Sequence, residues 1–269
     1  MQGSALLFAF SLTLLAGLAT GIGSLLAYFT GRTNTRFFSV ALGASGGVMI
    51  YISFLEILPE AQLKLTSALG RTPGSWAAVA GFFGGILLAA VIDRLVPETG
   101  NPHEVHRIEN CADCITGEDS RMLRVGLFTA ITIAVHNFPE GLAAFISALE
   151  HTSVGIAVAV AIAVHNIPEG IAVFVPVYLA TGNRRKAFLL SFLSGLSEPV
   201  GALVGYFFLL PFYNDVLSGI IFALVAGIMV FISLDELLPT AREYGEAHLA
   251  IYGVTAGMLI MAISLLLLA

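Results

Sequence analysis

The stretches A-V-H-N-F-P-E-G (134–141) and A-V-H-N-I-P-E-G (163–170) align without a gap. Each lies in apolar surroundings, and each places a histidine, an asparagine and a carboxylate where hydrocarbon would be expected. Ionisable groups at membrane depth are costly and mark ion pathways. The pair therefore points to an intramembrane ion site. The rest of the sequence decides what surrounds it.

The chain has 269 residues, of which 57% are hydrophobic and 11% charged, and its mean hydropathy is +0.91. A membrane span takes about 20 apolar residues. Eight stretches qualify, at 6–29, 38–58, 76–96, 123–149, 153–180, 187–210, 216–238 and 249–269. The expected fold is an all-α integral membrane protein, with residues 1–269 forming a single transmembrane domain. The connections are short except for 97–122, which leaves no room for a soluble catalytic domain. No phosphate-binding G-x-x-x-x-G-K-[ST] loop is present to couple transport to ATP. The first apolar run lacks the basic leader of a signal peptide and is too long for its core, so a retained helix is expected.

Basic residues suggest the orientation. With the N-terminus outside, ten of the twelve Lys and Arg residues fall in inside loops, and only Lys64 and Arg71 fall outside. The positive-inside rule then places both termini outside and the 97–122 loop in the cytoplasm. Cys111 and Cys114 lie in that loop, where a reducing compartment disfavours a disulfide.

The segment S-G-G-V-M-I-Y-I-S-F-L-E-I-L-P (45–59) matches V-A-G-I-M-V-F-I-S-L-D-E-L-L-P (225–239), pairing Glu56 with Glu236 and Pro59 with Pro239. A weaker echo pairs Gly17, Gly23, Tyr28 and Phe29 with Gly195, Gly201, Tyr206 and Phe207. Matching spans cross in opposite directions, which implies an inverted-topology repeat: helices 1–3 and 6–8 around a central antiparallel pair, 4–5. That plan is common in carriers with a site near the midplane.

Residues four apart share a helix face. His136 and Glu140 therefore point one way, and His165 and Glu169 another. Facing each other they offer two imidazoles and two carboxylates, a set suited to Zn²⁺ and to Fe²⁺, Mn²⁺ or Co²⁺. Two carboxylates also balance the charge of a divalent ion, which lowers the cost of holding it in an apolar core. Pro139 and Pro168 are expected to kink their helices, and Gly141 and Gly170 to let neighbouring helices approach. Asn137 and Asn166 point about 100° from the adjacent histidines. With Glu198, in S-G-L-S-E-P, they extend the set toward a second ion bridged by Glu140 and Glu169. Three carboxylates gathered in an apolar cavity cannot all stay ionised. At least one proton should be held without metal and leave when metal binds.

Other residues are weaker candidates. Glu56, Asp235 and Glu236 are expected near the ends of helices two and seven, either as intake and release stations on a transport path or as plain interfacial carboxylates. Asp93 beside Arg94 reads as an interfacial ion pair. In the 97–122 loop, His103, His106, Cys111 and Cys114 offer a C-x-x-C ligand pair for metal docking, against the simpler reading of a polar loop. His151 and His248 read as solvated. A membrane-embedded metalloenzyme is disfavoured, because H-E-x-x-H and paired Glu-x-x-His motifs are absent. A metal-selective channel is disfavoured because such a cage binds too tightly for fast flux.

The twin H-N-x-P-E-G motifs, the eight spans, the acidic sixth span and L-D-E-L-L-P (234–239) together resemble the ZIP (Zrt/Irt-like) family of divalent-metal transporters, above all its bacterial members. The resemblance covers essentially the whole chain. It implies uptake of zinc, and often iron, manganese, cobalt or cadmium, into the cytoplasm across the cell membrane. It implies that His136, Glu140, His165 and Glu169 form a first metal site, and that Asn137, Asn166 and Glu198 join the bridging glutamates in a second. It further implies that helices one, four, five and six move as a bundle against the rest, in a homodimer. The partners implied are divalent metal ions and the lipid bilayer, with no nucleic acid and no cofactor beyond the transported ion.

Overall fold

The computed structural model describes residues 3–29, 35–95, 119–212, 214–244 and 247–268. Among these the chain is entirely helical: α1 (Gly3–Phe29), α2 (Thr35–Ile52), α3 (Leu58–Leu69), α4 (Arg71–Leu95), α5 (Asp119–Glu150), α6 (Thr152–Thr181), α7 (Arg184–Gly195), α8 (Ser197–Val204), α9 (Asp215–Ile232), α10 (Leu238–Tyr244) and α11 (Ala247–Leu268). Joined end to end, α2 with α3, α7 with α8 and α9 with α10 form single rods, so the eleven helices make eight rods. Seven helical stretches among the described residues are long and apolar enough to cross a membrane; α5 is the remaining rod. At about 1.5 Å per residue the 30-residue α6 is about 45 Å long, more than the roughly 30 Å hydrocarbon core. Large side chains stand exposed where lipid would cover them, such as Trp76 (71%) and Leu267 (81%).

Two boundaries differ from the sequence reading. The second span does not stop near residue 58: a π-helical turn, Ser53–Ile57, leads into α3, which continues to Leu69. The seventh behaves the same way, through Ser233–Leu237 into α10. In both, the amide after the turn reaches back five residues, Leu58 N–H to Ser53 O and Leu238 N–H to Ser233 O. The proline that follows lacks a donor; the wider turn takes up the misfit, and the helix runs on. Glu56 and Glu236 therefore sit inside rods rather than at their ends. Helix α5 also starts at Asp119, within the expected 97–122 loop.

Pro139 and Pro168 interrupt neither α5 nor α6. The sixth span breaks instead, at Leu196 between α7 and α8.

The rods sort into two groups. Helices α1, α5, α6, α7 and α8 pack among themselves, as do α2, α3, α4, α9, α10 and α11; α6 against α2 is the main contact across. Within each group, glycines bring backbones together. A Cβ on Gly23 would lie 1.8 Å from Ile167 O, and one on Gly201 2.2 Å from Phe138 O. Gly170 meets Thr20 O at 2.0 Å, and Gly141 meets Glu198 O at 2.2 Å. In the other group Gly47 meets Val254 O at 2.1 Å and Gly227 meets Phe82 O at 2.0 Å. No side chain fits at such positions, and small residues let membrane helices pack closely.

The corners are tight. Gly70 (φ 87°) and Gly182 (φ 61°) supply the left-handed backbone that turns α3 into α4 and ends α6. Asn183 and Asn214 cap α7 and α9, accepting hydrogen bonds from the amides of Lys186 (3.1 Å) and Leu217 (2.9 Å).

Candidate metal centre

Helices α5 and α6 carry the two motifs past each other, and the glycine contacts press α1 and α8 onto them. Gly141 lets the backbone of Glu198 rest on α5, so the acid of the sixth span arrives beside the first motif. Glu198 lies in the first turn of α8, just after the break at Leu196.

Asn137, Glu140, His165, Asn166 and Glu198 are 0% exposed, and Glu169 is 1% exposed. His165 Nε2 lies 2.9 Å from Glu140 Oε2, joining the two motifs across α5 and α6. Asn166 Nδ2 donates to Ala16 O of α1 at 2.9 Å and also to Glu198 Oε1. The Glu198 carboxylate is within electrostatic reach of both Glu140 and Glu169. Among the described residues, Glu140 Oε1, Asn166 Oδ1 and Glu198 Oε2 are buried without a hydrogen-bond partner. Buried polar atoms are nearly always paired, so three such acceptors in one region stand out from the rest of the helical interior.

Glu140, His165, Asn166, Glu169 and Glu198 thus meet in one buried polar region, and Asn137 is buried one helical turn before Glu140 on α5. The seventh principal candidate, His136, belongs to α5, but its side chain lies outside the described residues. Among the described residues no three His, Cys, Asp or Glu side chains stand close enough to ligate one ion together. They stand instead as hydrogen-bonded pairs, His165 with Glu140 and Asn166 with Glu198.

The weaker candidates lie apart. Glu56 is half-buried in its π-helical turn, Glu236 is buried in the matching turn, and Asp235 is exposed. His103, His106, Cys111 and Cys114 lie outside the described residues. His151 and His248 are exposed, as the sequence suggested.

Two contributors were not singled out from the sequence. Ser45 of α2 donates to His165 O at 3.3 Å, reaching across from the other helix group. Thr20 of α1 sits against Gly170 as Glu198 sits against Gly141. Thr20 also occupies the position that the first-to-sixth span echo matches with Glu198, so that echo carried the signal.

A multi-pass helical membrane protein with a buried, oxygen- and imidazole-bearing centre is the architecture of a metal-ion carrier. Residues 97–265 match the family model described as ZIP zinc transporter. The chain is 62% identical over 270 residues to the zinc transporter ZupT of Lysinibacillus sphaericus, covering 100% of both chains. It is 60% identical over 262 residues to the zinc transporter ZupT of Streptococcus mutans (96% of this chain, 97% of that one). With that of Clostridium perfringens it shares 56% identity over 273 residues (97% and 96%). The chain belongs to the ZIP zinc-transporter family, a family of transporters rather than enzymes.

Proposed function

We propose that this protein carries zinc into the cytoplasm across the cell membrane, through two adjacent ion sites on α5, α6 and α8. His136, Glu140, His165 and Glu169 hold the first ion. Asn137, Asn166 and Glu198 hold the second, with Glu140 and Glu169 bridging. Iron, manganese, cobalt and cadmium suit the same donors and are secondary substrates. The observation that carries this reading is the burial of two motif carboxylates, an imidazole and two carboxamides beside Glu198, with acceptor oxygens left over. On binding, an ion replaces the His165–Glu140 and Asn166–Glu198 hydrogen bonds and takes up these ligands.

Side chains with no accessible surface cannot exchange an ion with either compartment unless helices move. That supports alternating access, with the group α1, α5, α6, α7 and α8 sliding as an elevator against the other. An inverted repeat supports the same reading. The glycine contacts pair off at matching offsets: Gly23 on Ile167 with Gly201 on Phe138, Gly170 on Thr20 with Gly141 on Glu198, and Gly47 on Val254 with Gly227 on Phe82. The two π-helical turns also fall at matching positions, Ser53–Ile57 and Ser233–Leu237. Glu56, Asp235 and Glu236 then act as stations along the path, and the 97–122 loop lies in the cytoplasm, where His103, His106, Cys111 and Cys114 dock metal on the side of release. The protein works as a homodimer. A divalent ion moving inward gains roughly 4–5 kcal/mol per 100 mV of inside-negative potential, so facilitated uptake needs no ATP.

Zinc uptake into proteoliposomes tests the proposal. Wild-type flux should saturate with zinc, and Glu140→Ala should remove it, together with zinc binding by the purified protein. Flux that never saturates would point to a channel. Bound zinc without flux would point to a metalloenzyme. Transport by the variant at the wild-type rate would remove Glu140 from the site.

A further inference from the structure

Far along the rods from the buried centre, a second polar cluster joins the two helix groups. Lys64 Nζ of α3 lies 2.9 Å from Glu150 Oε1 of α5 and 3.5 Å from Glu60 Oε1. Ser218 Oγ of α9 donates to the same Glu150 oxygen at 2.9 Å. The ammonium also stands 6.0 Å over the Phe222 ring. The side chains of Lys64 and Glu150 are only 12% and 11% exposed.

Three features set this cluster apart from an ordinary surface ion pair. First, Glu150 ends α5, where the helix dipole disfavours a carboxylate, and the compensating cation comes from another helix. Second, Lys64 and Ser218 belong to one helix group and Glu150 to the other, so they seize its carboxylate from across the boundary. Third, the pair is mostly withdrawn from water, so parting the groups would leave Glu150 without either partner in a poorly solvated place. Breaking such a pair costs more than breaking an exposed one. The cluster lies on the face that carries the corners at Gly70, His151 and Asn214. Another clasp, Arg184 Nη1 donating to Tyr28 O at 2.9 Å, lies at the other end of the rods and joins helices of a single group.

We propose that Lys64, Glu150 and Ser218 form a latch between the two helix groups, closing the molecule on that face until the groups part to let metal reach the buried centre. The proposal rests on the alternating-access reading above, under which this face is the outer one and the latch belongs to the outward-closed state. Lys64 keeps Glu60 as a partner when the latch opens, so opening strands chiefly Glu150.

Amide hydrogen exchange of segment 142–150 in zinc-free, full-length protein in lipid tests the latch. Glu150→Gln and Lys64→Met should each speed exchange about fivefold, and the double variant should be no faster than the faster single one, as for two halves of one interaction. Exchanging the charges, Lys64→Glu with Glu150→Lys, should recover part of the protection. Ser218→Ala, which leaves both charges in place, should give a smaller change in the same direction and serves if the charge variants fold poorly. Unchanged exchange, or effects that simply add, overturns the latch. In proteoliposomes the external zinc concentration for half-maximal uptake should fall in Glu150→Gln, because more molecules are open outward at rest. Faster exchange with unchanged half-saturation removes the gating role. The central site is read separately, by zinc titration of Glu140→Ala, so either idea can fail alone.

Discussion

Asn166 uses one amide group to tie two helices together. Its nitrogen donates to Ala16 O and to Glu198, and its oxygen is left buried without a partner among the described residues. The same pattern recurs at Glu140, which holds His165 through Oε2 and leaves Oε1 over. In each, one atom ties neighbouring helices together while an oxygen is left over, which under the proposed function is the atom that would meet the ion. Glu198 lies close enough to feel both Glu140 and Glu169, and metal binding releases protons where ligands must deprotonate. Zinc added to purified, weakly buffered protein near neutral pH should therefore release at least about one proton per molecule, and Glu198→Gln should release fewer. A pH electrode or indicator dye reads this, and no release from the wild type would count against a shared proton. Six of these residues were legible in sequence because polar groups in apolar helices stand out. Ser45 was not, because a hydroxyl in a membrane helix ordinarily bonds its own backbone and only the fold brings it to His165, and Thr20 was marked only by the weak echo that pairs it with Glu198.

At the scale of the helix, proline proves a poor guide to where regularity ends. Pro139 and Pro168 lie inside unbroken helices, whereas the turns before Pro59 and Pro239 widen to the π form. The repeat around Glu56 and Glu236 was readable in sequence, but the continuation of both rods beyond it was not, since the polar residues that follow resemble a membrane boundary. Lys64 looked like a loop cation for that reason, and it is instead a helical residue held by Glu60 and Glu150. Glycine was the better guide. The Gly170 position leaves 2.0 Å between a Cβ and Thr20 O, so Gly170→Val has to push α1 from α6. Thermal unfolding should show a loss of about 1–3 kcal/mol, the usual cost of overpacking, with weaker zinc binding because Asn166 is drawn from Ala16. Unaltered stability and affinity in that variant would mean that the contact does not position the site.

The whole molecule is two helix groups meeting along a boundary, with the polar centre in one of them. The group α1, α5, α6, α7 and α8 contains all seven principal candidates, and α2 of the other group meets it at His165 through Ser45. The sequence matches between the two halves of the chain carry no information about which rods form which group. That required the glycine contacts, which are three-dimensional. The helices that bear the centre are packed on one another, so under the proposed alternating access only one face of the group would have to slide.

The burial of that centre has a kinetic consequence. Asn137, Glu140, His165, Asn166, Glu169 and Glu198 are buried, so a chelator cannot pull directly on an ion held among them and has to wait for the protein to open. Zinc loss from loaded protein should then follow a single rate that levels off as chelator concentration rises, and that plateau measures the opening motion rather than the strength of any metal–ligand bond. A rate that climbs in proportion to chelator would show the ion to be within reach. Residence time is then set by the opening motion, to be tuned at positions that never touch metal.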